Sequence, residues 1–337
     1  GVINMNNYKK IGLTALAASL VSVSAHAGEM SVAGSASMNV EGYTSEKLNK
    51  ASGFSMGNQL TFSGSGELDN GMTVSLSFVL DQGDDATTDA PAAGNSKFGD
   101  APFDSHSVSV SSDTLGTLKL SGEGGSSAAT AIDGTAAGDI WDTFDGARGN
   151  GSSGVKVKDT SPGDNSLYYT LPSIMDGLDV NLSYQPQGSG RESGTGFGFA
   201  YTGVEGLTAK YAVADEVGST TALSGDQTVY SLSYAYGPLT ASVSNSEYDD
   251  DTASSDQEVD SYAITYTVTD ELSVTYGSET IEKESDADDA EYEVLKASYT
   301  SGGMTITATM KDAENINHGT GNTEDVEYWS LGASFAF

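Results

Sequence analysis

Cysteine, basic residues and histidine are scarce in this chain, and each scarcity excludes something. None of the 337 residues is cysteine, so no disulfide bond stabilises the fold. Lysine and arginine number 14 against 48 aspartates and glutamates, giving a net charge of −34. Such a chain does not present the basic surface that nucleic acids need, so no nucleic-acid partner is expected. His106 and His318 lie in no recognisable catalytic motif, so we expect neither an enzyme nor a resident catalytic metal.

Apolar runs long enough to cross a bilayer as a helix are also missing after residue 27. The apolar run at 11–23 is too short for a span. It follows a short polar and basic stretch and precedes Ala25-His-Ala27, the small-residue spacing that a signal peptidase recognises. We therefore predict that residues 1–27 are a cleaved secretory signal, with translation starting naturally at Met5 after an upstream extension. Residues 28–337 would form one domain outside the cytoplasm.

What the chain does contain is a repeated alternation of apolar residues with Ser, Thr, Asn, Gln and Gly. The segment starting at Met30 has apolar or small residues at every second position up to Val40, and comparable segments recur to Phe337. Period-two alternation is typical of β-strands with two different faces, and we count sixteen of them. The strong charge alone would suggest disorder, but 17 tyrosines and 10 phenylalanines, placed within this alternation, argue against it.

The connections between these predicted strands alternate in length. Short turns rich in Gly, Asp, Asn and Pro lie at 69–71, 113–116, 172–177, 203–206, 237–238, 269–271 and 301–303. Longer polar loops lie at roughly 43–52, 81–104, 122–165, 185–194, 214–226, 246–257, 281–291 and 311–325. Short turns on one side and long loops on the other are typical of bacterial outer-membrane barrels. The sequence therefore predicts an all-β fold, a 16-stranded antiparallel transmembrane β-barrel. A soluble sandwich or a repeat adhesin would also alternate, but neither predicts this asymmetry.

The C-terminal strand, Glu327 to Phe337, carries the most specific motif. It ends in Phe337 and has apolar residues at every second position before it, at Phe335, Ala333, Leu331 and Trp329. Together with the secretory signal, the strand count and the long third loop, it resembles the general porins of the Gram-negative outer membrane, especially those of alphaproteobacteria. In that family this strand is the sorting signal that the barrel-assembly machinery reads. The resemblance covers essentially all of 28–337.

The resemblance implies a multi-pass protein of the bacterial outer membrane, a homotrimer in contact with outer-membrane lipid, and an inward-folded third loop that narrows each pore. The acidic residues of that loop are Asp133, Asp139, Asp142 and Asp145, and Arg148, Lys156 and Lys158 lie in the same loop. Lys119 and Lys210 alternate with outward-facing neighbours, so parity points them into the lumen opposite the acids. We take Asp133, Asp139, Asp142, Asp145, Lys119, Lys210 and Arg148 as the candidate pore constriction.

A barrel of this width would hold a water-filled channel for passive diffusion of small hydrophilic solutes and ions, without a cofactor. The Ser, Thr, Asn and Gly face is expected to keep the lumen wet, and the acids to favour cations. Two alternatives stay open: a substrate-specific channel, and an acidic outer-surface β-protein that binds Ca²⁺. The second would use the clusters at 84–85, 249–251 and 286–289, none of which has EF-hand spacing.

Overall fold

The computed structural model describes residues 30–43, 53–81, 104–144, 157–160, 165–186, 193–216, 224–252, 255–284, 286, 288–316 and 325–337. The predicted signal, 1–27, lies outside them. No helix in the described ranges is long and apolar enough to cross a membrane. Within these ranges the chain forms sixteen strands: β1 (Met30–Tyr43), β2 (Gly53–Glu67), β3 (Thr73–Asp81), β4 (Ser105–Ser112), β5 (Gly116–Glu123), β6 (Ser166–Thr170), β7 (Leu178–Gln185), β8 (Gly194–Tyr201), β9 (Leu207–Glu216), β10 (Gly225–Tyr236), β11 (Leu239–Asp250), β12 (Gln257–Thr267), β13 (Leu272–Lys283), β14 (Ala290–Ser301), β15 (Met304–Glu314) and β16 (Val326–Ala336).

Each strand pairs antiparallel with its neighbours in sequence, and β1 pairs with β16 to close the barrel. Phe337 completes this seam, because its amide donates to Gly34 O at 3.0 Å and its carbonyl accepts from Gly34 N at 2.7 Å. Closure leaves no unpaired strand edge among these strands. An unpaired edge would be costly in a membrane, because lipid offers no partners for its backbone N–H and C=O groups. The predicted 16-stranded antiparallel barrel is therefore confirmed.

Alternation divides every strand into two faces, as the sequence predicts. One face carries exposed apolar side chains such as Phe54, Met56 and Met310, which are 89%, 72% and 65% exposed. We call this the outward face, because a wall that meets lipid presents such side chains. The other face points into the lumen and is largely polar, with threonine pairs such as Thr265 and Thr275 in contact across strands.

All seven predicted short turns connect consecutive strands at one end of the barrel. Gly71 illustrates their chemistry, since its φ of 80° lies in the left-handed region that glycine adopts without strain. At the other end the loops are shorter than predicted, most of all two of them, because β11 and β12 are separated only by residues 251–256 and β13 and β14 by 284–289. Polar residues at those strand ends still pair across strands, so polarity alone placed the boundaries too early.

Candidate pore constriction

The connection between β5 and β6, residues 124–165, is the longest in the chain, and we call it loop 3. Its described parts lie against the barrel wall and donate backbone hydrogen bonds to serine hydroxyls on three strands. The pairs are Ala128 N to Ser183 Oγ at 2.9 Å, Ala136 N to Ser244 Oγ at 2.8 Å and Ala137 N to Ser261 Oγ at 3.0 Å. Each serine adjoins an outward-facing apolar residue in its strand, so each points into the lumen. These contacts place loop 3 on the inner wall.

Small residues allow this close approach between loop and wall. A Cβ built on Gly277 of β13 would lie 2.7 Å from Ala137 Cβ, and one built on Gly196 of β8 would lie 3.1 Å from Ala128 Cβ. Any larger side chain at Gly277 would displace the loop. The wall strands therefore contain glycine where the loop backbone passes closest.

Apolar packing holds the second half of the described loop. A 3₁₀ helix, Ile140–Phe144, buries both of its terminal side chains against lumen-facing residues at the loop end of the barrel. The Phe144 ring lies 5.8 Å from that of Tyr292 and 6.5 Å from that of Tyr43. The cluster also contains Ala137, Val259, Ile281, Ala290, Val294, Ala313, Ile316 and Val326. Burial of this apolar surface stabilises loop 3 on β12–β16.

A buried wall carboxylate, Glu279 of β13, fastens the loop beside this cluster. Glu279 is completely buried. One carboxylate oxygen accepts from Thr135 Oγ1, and the other accepts from Trp141 N at 3.1 Å. Further along the loop, Thr143 Oγ1 accepts a hydrogen bond from Lys311 Nζ of wall strand β15. A buried charge is tolerated only with such partners, so Glu279 is specifically matched to the loop conformation.

Gln227 of β10 joins two separate parts of loop 3. Its Oε1 accepts from Thr160 N at 3.0 Å, and its Nε2 donates to Ser246 Oγ at 3.1 Å and to Asp133 Oδ2 at 3.3 Å. The side chain is fully buried. The pKa of Asp133 is raised to about 6, chiefly by burial and also by the nearby carboxylates of Asp159 and Asp139, against the lowering effect of the Gln227 hydrogen bond.

The other predicted loop acids have different surroundings. Asp139 has a φ of 51°, and its carboxylate accepts from Thr135 N at 3.0 Å, so it closes a local turn as well as carrying charge. Asp142 is exposed on the 3₁₀ helix. Asp145 and Arg148 lie outside the described residues. The acids Asp133, Asp139 and Asp142 thus all lie on the part of loop 3 that contacts the wall.

The basic residues do not share one location. The described contacts of the middle of loop 3 run from β7 around to β15 and β1. On the other side of the barrel, Asn165 at the end of the loop donates from its backbone N to Gly122 O of β5 at 3.3 Å. Lys119 lies on β5, on that other side of the barrel, and its lumen-facing position is set by its exposed outward neighbours Leu118 and Leu120. Lys210 also faces the lumen, but β9 lies within the contacted arc. Lys158 of the loop pairs with Asp250 at 2.6 Å, which neutralises its charge locally.

Sequence reasoning missed Glu279, Gln227, Lys311 and the apolar lumen patch, and expected a Ser, Thr, Asn and Gly lumen throughout. The expectation fails at the loop end of β12–β16, where the lumen side is apolar because loop 3 covers it. A signal was present in β14, where Tyr292 and Val294 precede Leu295 and Tyr299 with the opposite parity. An apolar residue on both faces of a strand indicates that both faces are covered.

No group of three acidic or histidine side chains is arranged to hold a metal ion in the part of the chain that the structure describes. The acidic pair at 84–85 lies outside that part. The described acids of 249–251, 286 and 288–289 are mostly exposed at the loop end of the barrel.

Comparison with solved structures finds porins over nearly the whole chain. A refined porin structure aligns with a TM-score of 0.63 at 18% identity, covering 92% of this chain and all of that one. The anion-selective porin from Comamonas acidovorans (TM-score 0.62, 15% identity) and a loop L8 deletion mutant of OmpT, an outer membrane protein of Vibrio cholerae (0.62, 16%), have the same coverage. At these identities the likeness concerns the fold.

No curated protein matches the sequence. The sequence model of one family, described as Gram-negative porin, does match, over residues 12–337. The match spans the predicted barrel strands and the loop that lies along their inner wall. The chain therefore belongs to the Gram-negative porin family and is a β-barrel channel of the bacterial outer membrane.

Proposed function

We propose that the protein lets small hydrophilic solutes and ions diffuse passively through a water-filled pore that loop 3 narrows. A sixteen-stranded barrel is too wide for side chains to fill, so its interior stays aqueous. The observation that supports the proposal is the attachment of the middle of loop 3 to lumen-facing residues from β7 around to β1. The open passage would then lie toward β2–β6.

We further propose that the pore prefers cations. Asp133, Asp139 and Asp142 lie on the loop, whereas its described cation, Lys158, is paired with Asp250. The chain as a whole has a net charge of −34, so the pore mouth attracts cations before they reach the loop. The Comamonas acidovorans neighbour is described as anion-selective. At 15% identity, however, its similarity supports only the fold, so the selectivity of this chain is argued from its own residues.

Liposome swelling tests the diffusion function. Vesicles containing the purified protein should admit sugars at a rate that falls smoothly with solute size and rises linearly with concentration. Saturation of the rate by one solute would instead indicate the alternative, a substrate-specific channel.

The homotrimer is proposed from the outward face of β1–β3. This face carries Met30, Met38, Phe54 and Met56, all at least 60% exposed, and no charged side chain among its described strand residues. By contrast, the outward face of β10–β15 has many carboxylates at its loop end. Met56→Trp should convert the trimer to monomers in mild detergent, measured by analytical ultracentrifugation. Leu232→Trp, on the outward face of β10, should leave the trimer intact.

Export is proposed to follow the family pattern. Residues 1–27 would be removed as a signal, and the C-terminal residues Trp329, Leu331, Phe335 and Phe337 would be recognised by the barrel-assembly machinery. Mass spectrometry of the protein purified from outer membranes should give a mature N-terminus at Gly28.

A further inference from the structure

The outward face of β13–β16 contains a groove of about 270 Å³ near the loop end of the barrel. Its floor is formed by four side chains that are direct cross-strand partners and so lie at one height: Tyr276, Leu295, Met310 and Trp329. Each is at least 37% exposed. The floor is therefore an apolar strip with an aromatic ring at each end.

A row of carboxylates lies immediately beyond this floor, toward the loops. Glu293, Asp312 and Glu327 are cross-strand partners on β14, β15 and β16, two residues from the floor on each strand. They also line the groove, and Tyr276 Oη donates to Glu293 Oε1 at 2.7 Å. Like charges directly opposite each other in a sheet are destabilising. The groove thus combines an apolar floor with an excess of negative charge at one end.

We propose that this groove binds a membrane lipid with an ammonium group in its headgroup, a ligand unrelated to diffusion through the pore. The acyl chain would lie over Leu295 and Met310. The ammonium would donate to the carboxylates and contact the Trp329 and Tyr276 rings, since carboxylates and aromatic faces both attract ammonium ions.

One observation favours an ammonium over an anionic headgroup bridged by a divalent metal, and another shows that the groove is rigid. First, within the described residues no three acids are arranged to hold a metal ion, although these three are neighbours. A protonated amine needs only separate acceptors, without a closed coordination shell. Second, the wall behind the groove is packed, because Tyr292 and Val294 are buried under loop 3 on the lumen side. The site is therefore preformed.

The barrel offers a matched control on the same face. Glu247, Glu258 and Glu282 form another row of cross-strand acids on β11–β13. Below that row lie Asn245 and Asp260, whose side chains hydrogen bond to each other at 3.0 Å, so the row has no apolar floor. Neutralising either row removes three outward-facing charges.

The experiment uses Trp329 as its reporter, because the chain contains only two tryptophans and Trp141→Phe removes the other. The full-length Trp141→Phe protein in detergent is titrated with phosphatidylethanolamine or phosphatidylglycerol carrying brominated acyl chains, which quench tryptophan on contact. Each titration is repeated with Ca²⁺ and with EDTA. The groove variant is Glu293→Gln/Asp312→Asn/Glu327→Gln, and the control variant is Glu247→Gln/Glu258→Gln/Glu282→Gln.

Phosphatidylethanolamine should quench Trp329 saturably whether EDTA is present or not. The groove variant should weaken its affinity by about tenfold, and the control variant should leave it unchanged. Preference for phosphatidylglycerol that needs Ca²⁺ would overturn the proposal in favour of a metal-bridged anionic lipid. Equal quenching by both lipids in all variants would also overturn the proposal, because it would show that the groove contacts lipids without specificity. Native mass spectrometry of retained lipid, on the chain with both tryptophans, repeats the comparison without the Trp141 substitution.

Discussion

At the scale of single residues, Asp133 connects the pore to pH. Its carboxylate, on loop 3, accepts a hydrogen bond from Gln227 of the barrel wall and lies near Asp139 and Asp159, and burial raises its pKa to about 6. An acid with a raised pKa is charged above that value and neutral below it. Asp133 therefore contributes its negative charge to the loop at neutral pH and loses it under mild acidity.

Ion selectivity should therefore depend on pH. Cation preference, read from the zero-current potential in a salt gradient, should fall as the pH drops through about 6, between about pH 7.5 and about pH 5. The Asp133→Asn variant should already show the lower cation preference at neutral pH, and its preference should change little as the pH falls. An unchanged pH profile in the variant would assign the titration to another group.

At the scale of elements, the relation between loop 3 and the wall depends on Glu279. Glu279→Ala would leave Trp141 N and Thr135 Oγ1 without their acceptor, destabilising the docked loop by about 1–3 kcal/mol. We expect noisier single-channel currents and closure at lower voltage. Glu282→Ala, three residues along the same strand on the outward face, should behave like the unchanged protein. If both variants behaved alike, the loop would be held by its apolar cluster alone.

The strands could be predicted from the sequence more completely than the constriction. Period two is a local property, so residues such as Met30, Val32 and Met38 revealed their strand without knowledge of its neighbours. The partners of loop 3 are not local. Glu279 is separated from Thr135 by 144 residues, and although alternation points Glu279 into the lumen and Glu282 outward, nothing near Glu279 in the sequence identifies its partners on the loop. Only closure of the barrel brings that carboxylate to the loop.

At the scale of the whole molecule, closure depends on the last residue. Phe337 makes two backbone hydrogen bonds to Gly34 across the seam between β1 and β16. Deleting Phe337 removes both bonds and the terminal aromatic residue of the C-terminal strand. The amount of folded, heat-modifiable protein in the outer membrane should fall. Deleting a residue from the loop at 317–324 instead should leave that amount unchanged, and equal insertion of both chains would contradict the role of Phe337.

We expect the acids of loop 3 to set ion selectivity from within the barrel. A unit charge about 5 Å from a passing ion, at an effective dielectric near 20, contributes roughly 3 kcal/mol before mobile ions screen it. Even a third of that energy favours cations several-fold. The field at the narrow passage should therefore outweigh that of exposed charges outside it.

The zero-current potential in a salt gradient tests this most directly. Replacing Asp133, Asp139, Asp142 and Asp145 by Asn should move the potential toward anion preference, and more so at low salt. The control replaces four exposed acids at the loop end of the barrel, Asp249, Asp251, Asp286 and Asp289, and should have the smaller effect. A larger shift from the four exposed acids would show that the external mouth, and not loop 3, is the selectivity filter.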